Sequence, residues 1–246
     1  VLFLTISGGL VFIVVTDIWY YFSKKSNSIS FTTKMITLSF FGVLFIATAI
    51  TFFGESTIQH YPVFERLEIA AFQTVNAIST AGYNSIPLSN LTLGVLLTII
   101  FLMYVGAAPS STGGGMKITT LTAVIAIVKS KVRNQAKVTY LGKKIPADRL
   151  EMAVSTFIFY TAILFFSVFL LSFTENHSLE KLLFEATSAI GTVGLSMGIT
   201  GSLSVLGKII LICIMFIGRV GVITFGLAIL AKKQHKKIDN ETDLAV

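Results

Sequence analysis

Long apolar runs separated by short polar segments dominate this chain, and the lengths of the runs predict membrane helices. The long runs are residues 1–22, 35–53, 91–128, 152–173 and 203–231. About twenty apolar residues are enough to cross the hydrocarbon core of a bilayer. Two further apolar segments, 64–79 and 182–189, are too short to cross, and the first also carries several polar residues. Such segments are typical of re-entrant half-helices that are buried in protein.

The third long run must be interrupted. At about 1.5 Å per residue, a continuous helix over 91–128 would be far longer than the membrane is thick. The sequence Gly-Ala-Ala-Pro-Ser-Ser-Thr-Gly-Gly-Gly at 106–115 supplies a break, because Pro109 removes a backbone donor and successive glycines do not hold a helix. We expect a mobile intramembrane loop here. A surface loop between two separate spans is the alternative, which Lys117 weakly favours, but 116–128 is too short to span.

A shift of 112 residues lays the end of the chain over its middle. Thr80 then falls on Thr192 and Gly82 on Gly194, and in both copies a half-helix precedes the Thr-x-Gly segment. The first such segment comprises Ser79, Thr80, Ala81, Gly82 and Tyr83, and the second comprises Gly191, Thr192, Val193, Gly194 and Leu195. Backbone carbonyls turned towards an axis can replace the hydration shell of K+, and glycine permits the dihedral angles that this requires. The repeat therefore predicts two strands of a K+ selectivity filter.

Composition and charge placement agree with a membrane protein. The chain is 54% hydrophobic and 13% charged, whereas about 25% is usual for soluble domains. Fourteen of the nineteen Lys and Arg residues lie in the segments 24–34, 129–149 and 232–237. The positive-inside rule places these segments in the cytoplasm together with the C-terminus, and both filter segments outside. The net charge of +7 is thus a topology signal, with anionic lipid as a secondary partner and no nucleic acid.

Arg219 is the most unusual single residue, because it lies in the middle of the last predicted span. An arginine at that depth is costly and almost never faces lipid. The same 112-residue shift places its neighbour Gly218 on Gly106, at the start of the glycine-rich break. We therefore expect Arg219 and the break to form a constriction below the filter. Pairing of Arg219 with an acidic residue of a neighbouring helix, for assembly alone, is the alternative.

These features resemble the Trk/Ktr/HKT superfamily of potassium transporters, and the run Pro-Ser-Ser-Thr-Gly-Gly-Gly-Met-Lys at 109–117 resembles its signature. The likeness covers nearly the whole chain and is greatest to the C-terminal half of the bacterial Ktr/Trk membrane subunit. It implies an all-α membrane fold of helix–re-entrant loop–helix repeats: 1–22 as the last helix of a preceding repeat, 35–128 and 152–231 as the third and fourth repeats, and 232–246 as a cytoplasmic tail. It also implies a gate made by the loop 106–117 and the arginine of the last repeat. The gate residues are then Gly106, Pro109, Ser110, Ser111, Thr112, Gly113, Gly114, Gly115, Lys117 and Arg219.

The resemblance further implies K+ uptake across the plasma membrane by a multi-pass homodimer that docks on a cytosolic ring of nucleotide-binding, RCK-type subunits. K+ is then the transported ion, no covalent cofactor is needed, and the residues leave Na+ coupling open. A structural subunit of another membrane assembly is one alternative. A membrane enzyme is a weaker one, because His60, His177 and His235 all lie in loops or the tail. Two filter strands cannot surround an ion, so we expect either a preceding half of the protein or two copies of the chain around one pore.

Overall fold

The computed structural model describes residues 1–10, 12–25, 28–135 and 137–221, and helices dominate them. The helices are α1 (Leu2–Gly9), α2 (Phe12–Phe22), α3 (Phe31–Gly54), α4 (Val63–Ser79), α5 (Leu93–Val105), α6 (Ile118–Val132), α7 (Ala147–Thr174), α8 (Leu179–Ile190) and α9 (Val205–Val220). Two short strands, β1 (Thr139–Tyr140) and β2 (Lys143–Lys144), pair antiparallel. By length and composition alone, α3 and α7 are long and apolar enough to cross a membrane.

The first predicted span, 1–22, is not one straight helix. It consists of α1 and α2, which are bent by 102° relative to one another. The break follows Gly8 and Gly9, and Leu10 after them has an extended backbone. If the bent pair is counted as one span, the described residues hold up to three candidate membrane crossings. The chain turns directly after these two glycines, which favour a change of backbone direction. Their carbonyls have no partner within α1 and can accept hydrogen bonds from other segments.

The predicted break in the third apolar run is present. α5 ends at Val105, where Gly106 has φ of 68°, and α6 begins only at Ile118. α6 continues to Val132, past the predicted end of the run. The basic segment that follows is more ordered than the predicted linker, because β1 and β2 form a hairpin there. The hydroxyl of Tyr140 on this hairpin lies 3.1 Å from that of Ser39 on α3.

A helix break lies within the last predicted span, 203–231. α9 ends at Val220, and Gly221 has φ of 92°, which a helix does not accommodate. Arg219 therefore lies in the last turn of α9 and not in the middle of a continuous helix over 203–231. The predicted remainder of that span, 222–231, and the predicted cytoplasmic tail, 232–246, lie outside the described residues.

Six of the helices form two groups of three that pack on one another. In the first group, α3, α4 and α5 bury Phe40, Ile78 and Leu102. In the second, α7, α8 and α9 bury Tyr160 and Leu182. The two groups meet where α5 packs on α8. The C-terminal ends of α4 and α8, where the candidate filter segments begin, are therefore enclosed by the other helices.

Large apolar side chains also cover the outside of the long helices. Phe45 on α3 and Phe165 and Phe173 on α7 are each at least 75% exposed. Soluble proteins rarely expose contiguous apolar surface of this kind, whereas a bilayer accepts it. Together with the helical content, this surface gives an all-α membrane fold.

Candidate functional site

The two Thr-x-Gly segments adopt the same unusual backbone. Thr80 and Thr192 have φ of 56° and 51°, and Gly82 and Gly194 have φ of 78° and 89°. Positive φ is natural for glycine but is an outlier for a β-branched residue such as threonine. The same departure at equivalent positions of both copies indicates that the surrounding structure holds each segment in this form, and such held strain is common at functional sites.

Equivalent hydrogen bonds fix the inner end of each segment to its own half-helix. The N–H of Ala81 donates to the carbonyl of Asn76 at 3.1 Å, and the N–H of Val193 donates to the carbonyl of Ser188 at 2.9 Å. The 112-residue shift superimposes both donors and both acceptors. Each bond closes the C-terminal end of a helix in the manner of a Schellman cap, with a residue of positive φ inside the turn. The repeat in sequence is therefore also a repeat in geometry.

A glutamate ties the ends of each three-helix group together. Glu55 follows α3 and accepts a hydrogen bond from the N–H of Thr92, the N-cap of α5, at 2.9 Å. Glu175 follows α7 and accepts from the hydroxyl of Ser204, the N-cap of α9, at 2.5 Å and from its N–H at 3.1 Å. These hydrogen bonds, led by the Ser204 hydroxyl, hold the pKa of Glu175 below its usual range. In both groups, a glutamate after the first helix is thus hydrogen-bonded to the N-cap of the last helix.

The two filter segments lie side by side. A Cβ placed on Gly82 would overlap the carbonyl oxygen of Val193 and would lie 3.5 Å from the Cα of Gly194. Gly194, by contrast, has no atom of the described residues within 4 Å of such a Cβ. Tyr83 is 59% exposed, whereas its equivalent Leu195 is 4% exposed. One face of the pair is therefore packed and the other is open.

The loop 106–117 folds back on the end of α5 as a compact turn. The N–H groups of Met116 and Lys117 donate to the carbonyls of Tyr104 and Val105 at 3.0 and 2.8 Å. Inside the loop, the N–H of Ala107 donates to the carbonyl of Gly114 at 3.3 Å. The last helical carbonyls of α5 are thus satisfied by the returning chain, which allows a non-helical segment to be buried in protein.

The loop lies directly against the base of both filter segments. The N–H of Gly114 donates to the hydroxyl of Thr80 at 2.8 Å. A Cβ on Gly114 would overlap the carbonyl oxygen of Gly191, and a Cβ on Gly113 would lie 2.8 Å from the carbonyl oxygen of Ser79. We expected these glycines to make the loop mobile. In the structure they permit close approach of the loop to the filter, a role that backbone freedom alone does not reveal.

The same loop is also attached to α1. The N–H of Ala108 donates to the carbonyl of Gly9 at 3.2 Å, and the N–H and hydroxyl of Thr112 donate to the carbonyl of Gly8 at 3.3 and 3.0 Å. Carbonyls in the last turn of a helix lack partners within the helix, so the loop caps α1. Its position therefore depends on the break between α1 and α2.

The structure brings the loop and Arg219 together around a cavity of about 740 Å³. Its lining includes Lys117, Tyr160 and the end of α9. Lys117, with φ of 89°, points its Nζ at the carbonyl of Gly113, 2.5 Å away. Within the described ranges, Arg219 forms neither an ion pair nor a hydrogen bond. Two cations thus face one cavity, and of the two only Lys117 is held by the loop.

Within the described residues, no hydrogen bond joins the loop hydroxyls to Arg219. The Ser111 hydroxyl donates to the carbonyl of Ala108 at 2.6 Å, and the Thr112 hydroxyl is bonded to α1. Pro109 and Ser110 lie at the tip of the turn, where Ser110 is exposed with φ of 59°. The hydroxyls of Ser111 and Thr112 thus donate to backbone carbonyls and stabilise the position of the loop.

The filter and gate candidates offer oxygens from carbonyls and hydroxyls and no clustered acids. In the part of the chain that the structure describes, no group of three or more His, Cys, Asp or Glu residues could hold a metal ion. Sequence reasoning missed Gln73 and Glu185, which are buried beside the filter segments. The 112-residue shift could have found them, since it places one on the other.

Comparison with known proteins gives relatives along nearly the whole chain. The family of cation transport proteins named TrkH matches residues 10–240. Ktr system potassium uptake protein B of Bacillus subtilis (strain 168) is 32% identical over 227 residues, which are 91% of this chain and 50% of that protein. Ktr system potassium uptake protein D of the same organism is 35% identical over 237 residues, with 94% and 52% covered. Potassium/sodium uptake protein NtpJ of Enterococcus hirae is 34% identical over 237 residues, with 93% and 52% covered.

A solved structure has the same fold. The potassium transporter TrkH from Vibrio parahaemolyticus matches with a TM-score of 0.76 at 19% identity, over 94% of this chain and 51% of that one. At that identity the likeness concerns the fold alone. The chain spans about half the length of the curated relatives it matches. Since the family match extends over most of its residues, the chain belongs to the TrkH family of cation transport proteins.

Proposed function

We propose that this chain forms part of a K+ uptake pore, in which residues 79–83 and 191–195 are two strands of the selectivity filter. The observation that carries the proposal is the shared backbone of the two segments, with positive φ at Thr80 and Thr192 and again two residues later. Positive φ turns successive carbonyls towards one side of the strand. Such carbonyls can replace the water around a K+ ion without any charged ligand.

The surrounding elements suit a repeated helix–re-entrant loop–helix unit. α4 and α8 would enter the membrane from outside as half-helices, with the C-terminal end of each dipole towards the ion. In this arrangement 35–128 and 152–231 are two successive repeats, and 1–22 closes a preceding one. The open face of Gly194 is where a further strand would pack. The other strands would come from the rest of a longer protein or from a second copy of the chain.

The loop 106–117 and Arg219 form the proposed gate. The loop contacts the inner base of both filter strands, where an ion leaving the filter must pass. Arg219 lies across the same cavity without an ionic partner among the described residues. At an effective dielectric of about 20, a unit charge 4 Å away repels a cation by about 4 kcal/mol. That repulsion would slow passage by about three orders of magnitude.

The names of the relatives support K+ as the transported ion, and one of them also names sodium. We propose a multi-pass plasma-membrane protein with a cytoplasmic C-terminus that acts as a transporter and not as an enzyme. No covalent cofactor is required, and Na+ coupling is left to experiment. A homodimer docked on a cytosolic, nucleotide-binding RCK-type ring is the proposed assembly. The hairpin Thr139–Lys144 and the end of α6, which carry exposed lysines, are its candidate cytosolic contacts.

Flux of labelled Rb+ into liposomes containing the full-length protein tests the transport proposal. We expect uptake that K+ competes away and that Na+ competes away much less. A structural subunit or a membrane enzyme would give no flux above that of protein-free liposomes. Cysteines placed at Lys131 and at Lys137 test the cytosolic contact, and cross-linked adducts with a soluble subunit are expected in native membranes. No adducts, while a cysteine pair within the membrane domain cross-links normally, would argue against that contact.

A further inference from the structure

Two buried side chains outside the filter segments occupy equivalent positions behind them. Gln73 on α4 and Glu185 on α8 are 3% and 5% exposed. The Oε1 atom of Gln73 accepts a hydrogen bond from the N–H of Ser85 at 3.1 Å, and Oε1 of Glu185 accepts from the N–H of Met197 at 3.1 Å. The 112-residue shift superimposes Gln73 on Glu185 and Ser85 on Met197. In both copies the side-chain oxygen accepts from a backbone N–H twelve residues later, so the same hydrogen bond is present in both repeats.

This hydrogen bond fixes the outer end of each filter segment, three residues after its glycine. The inner end is already fixed to the same half-helix, through Ala81 in one copy and Val193 in the other. Each segment is therefore attached at both ends to its own short helix. With both ends held, the carbonyls between them cannot shift inward to contact a smaller ion. Selectivity by carbonyl oxygens depends on their number and position around the ion.

We propose that Gln73 and Glu185 are matched positioning residues, which hold the outer ends of the filter segments and thereby set the preference of the pore for K+ over Na+. This inference rests on the filter assignment proposed above. It assigns the preference to side-chain acceptors on the half-helices as well as to the backbone of the filter. Neither residue contacts the ion in this proposal, because both act through the loop that follows the segment.

Glu185 and Gln73 accept different numbers of hydrogen bonds from the loop that follows each segment. Glu185 also accepts hydrogen bonds from the hydroxyls of Ser196 at 2.5 Å and Thr200 at 2.9 Å, so its carboxylate holds three groups of the following loop. Gln73 accepts a single bond from that loop, and its buried Nε2 has no hydrogen-bond partner among the described residues. Loss of the acceptor should therefore matter more at Glu185. Replacing Gln73 by methionine removes its unpaired donor as well, which favours correct folding of that variant.

The test compares Glu185→Met and Gln73→Met, which remove the acceptors at similar volume, with Glu185→Gln, which keeps one carbonyl acceptor. The control is Glu180→Met, because Glu180 is an exposed acid on the same helix that accepts only from Ser178. Full-length variants are reconstituted in liposomes, and competition of K+ and of Na+ against Rb+ uptake is measured per amount of folded protein. Thr200→Val removes a single donor and leaves Glu185 in place, so it serves if Glu185→Met does not fold.

We expect the preference for K+ over Na+ to fall about tenfold in Glu185→Met and about threefold in Gln73→Met. Glu185→Gln should lie between Glu185→Met and wild type, Thr200→Val should lose about threefold, and Glu180→Met should match wild type. If wild type prefers K+ and both methionine variants and Thr200→Val keep that preference unchanged, this inference is wrong and the filter assignment still stands. A wild-type protein without K+ preference would overturn the filter assignment and this inference with it.

Discussion

Gly114→Ala is the sharpest test of the loop as a gate, because it adds one carbon where the loop meets the filter. The new Cβ would overlap the carbonyl oxygen of Gly191 and the hydroxyl of Thr192. Gly191 is backbone at the end of α8, held by a 2.9 Å bond from its N–H to the carbonyl of Thr187. It cannot yield as a flexible side chain would. The loop itself must therefore withdraw from the base of the filter.

The free-energy cost of keeping the loop against the end of α8 in Gly114→Ala can be estimated from its contacts. Forcing extra volume into a packed site costs about 1–3 kcal/mol. When the loop withdraws, the 2.8 Å bond from the N–H of Gly114 to Thr80 is released as well. Even about 2 kcal/mol in favour of withdrawal shifts the balance between the two loop positions about thirtyfold. If the loop limits flux, we expect normalised Rb+ uptake to rise about tenfold or more, with K+ over Na+ preference largely kept.

The matched control is Ser111→Ala, which removes one hydrogen bond within the same loop and adds no volume. We expect its uptake to stay within about fivefold of wild type, because a single such bond contributes about 1 kcal/mol. Uptake is divided by the amount of monodisperse protein, and thermal unfolding of each variant is measured alongside. If Gly114→Ala folds normally and transports at the wild-type rate or more slowly, the loop does not limit the flux and the gate assignment is wrong.

Three other changes have defined outcomes. Arg219→Ala should raise uptake per folded protein, since it removes an unpaired charge from the proposed ion path; less folded protein with unchanged unit flux would indicate an assembly residue instead. Gly82→Ser and Gly194→Ser should each lower the preference for K+ over Na+ in competition assays, because both glycines have positive φ. Gly82→Ser should lose further stability, because its Cβ would overlap the carbonyl oxygen of Val193. The lowered pKa of Glu175 means that its stabilising effect is full above its ordinary pKa of 4.5 and is lost as pH falls through the lower folded value. Melting temperatures from pH 7 to pH 3 should therefore fall less in Glu175→Gln than in wild type, and parallel curves would remove that role.

Much of the fold followed from two kinds of sequence information. Proline and consecutive glycines cannot continue a helix, and the break after Val105 is present as predicted. The internal repeat predicted two short helices, and α4 and α8 occupy the expected places to within three residues at each end. The repeat also anticipated the shared backbone of Thr80 and Thr192, because equivalent sequence in equivalent surroundings adopts the same conformation. Local chemistry and repetition were sufficient for these features.

The features that the sequence did not predict depend on contacts between distant segments. The 102° bend between α1 and α2 is stabilised by the loop 106–117, which donates to Gly8 and Gly9 about a hundred residues away. The β1–β2 hairpin contacts α3 through the hydroxyl of Tyr140, and no local sequence pattern predicts this contact. From the sequence, the loop glycines predict a mobile loop, because a sequence reveals backbone freedom but not the surface against which the backbone lies.

The end of α8 is approached by glycines from two directions, and this links the proposed gate to the filter. Gly114 reaches the carbonyl of Gly191 from the loop, and Gly218 reaches the carbonyl of Ile190 from α9; a Cβ on either glycine would overlap its carbonyl oxygen. Arg219 follows Gly218 directly, so its backbone is held close to the same helix end. The loop and the backbone next to Arg219 thus both lie against the end of α8, where the second candidate filter segment begins. A shift of α8 would move both contacts together, whereas a shift of the loop alone would leave Arg219 in place. The second movement releases the bond from Gly114 to Thr80 but leaves the end of α8 in place, and it is the one that Gly114→Ala is designed to produce.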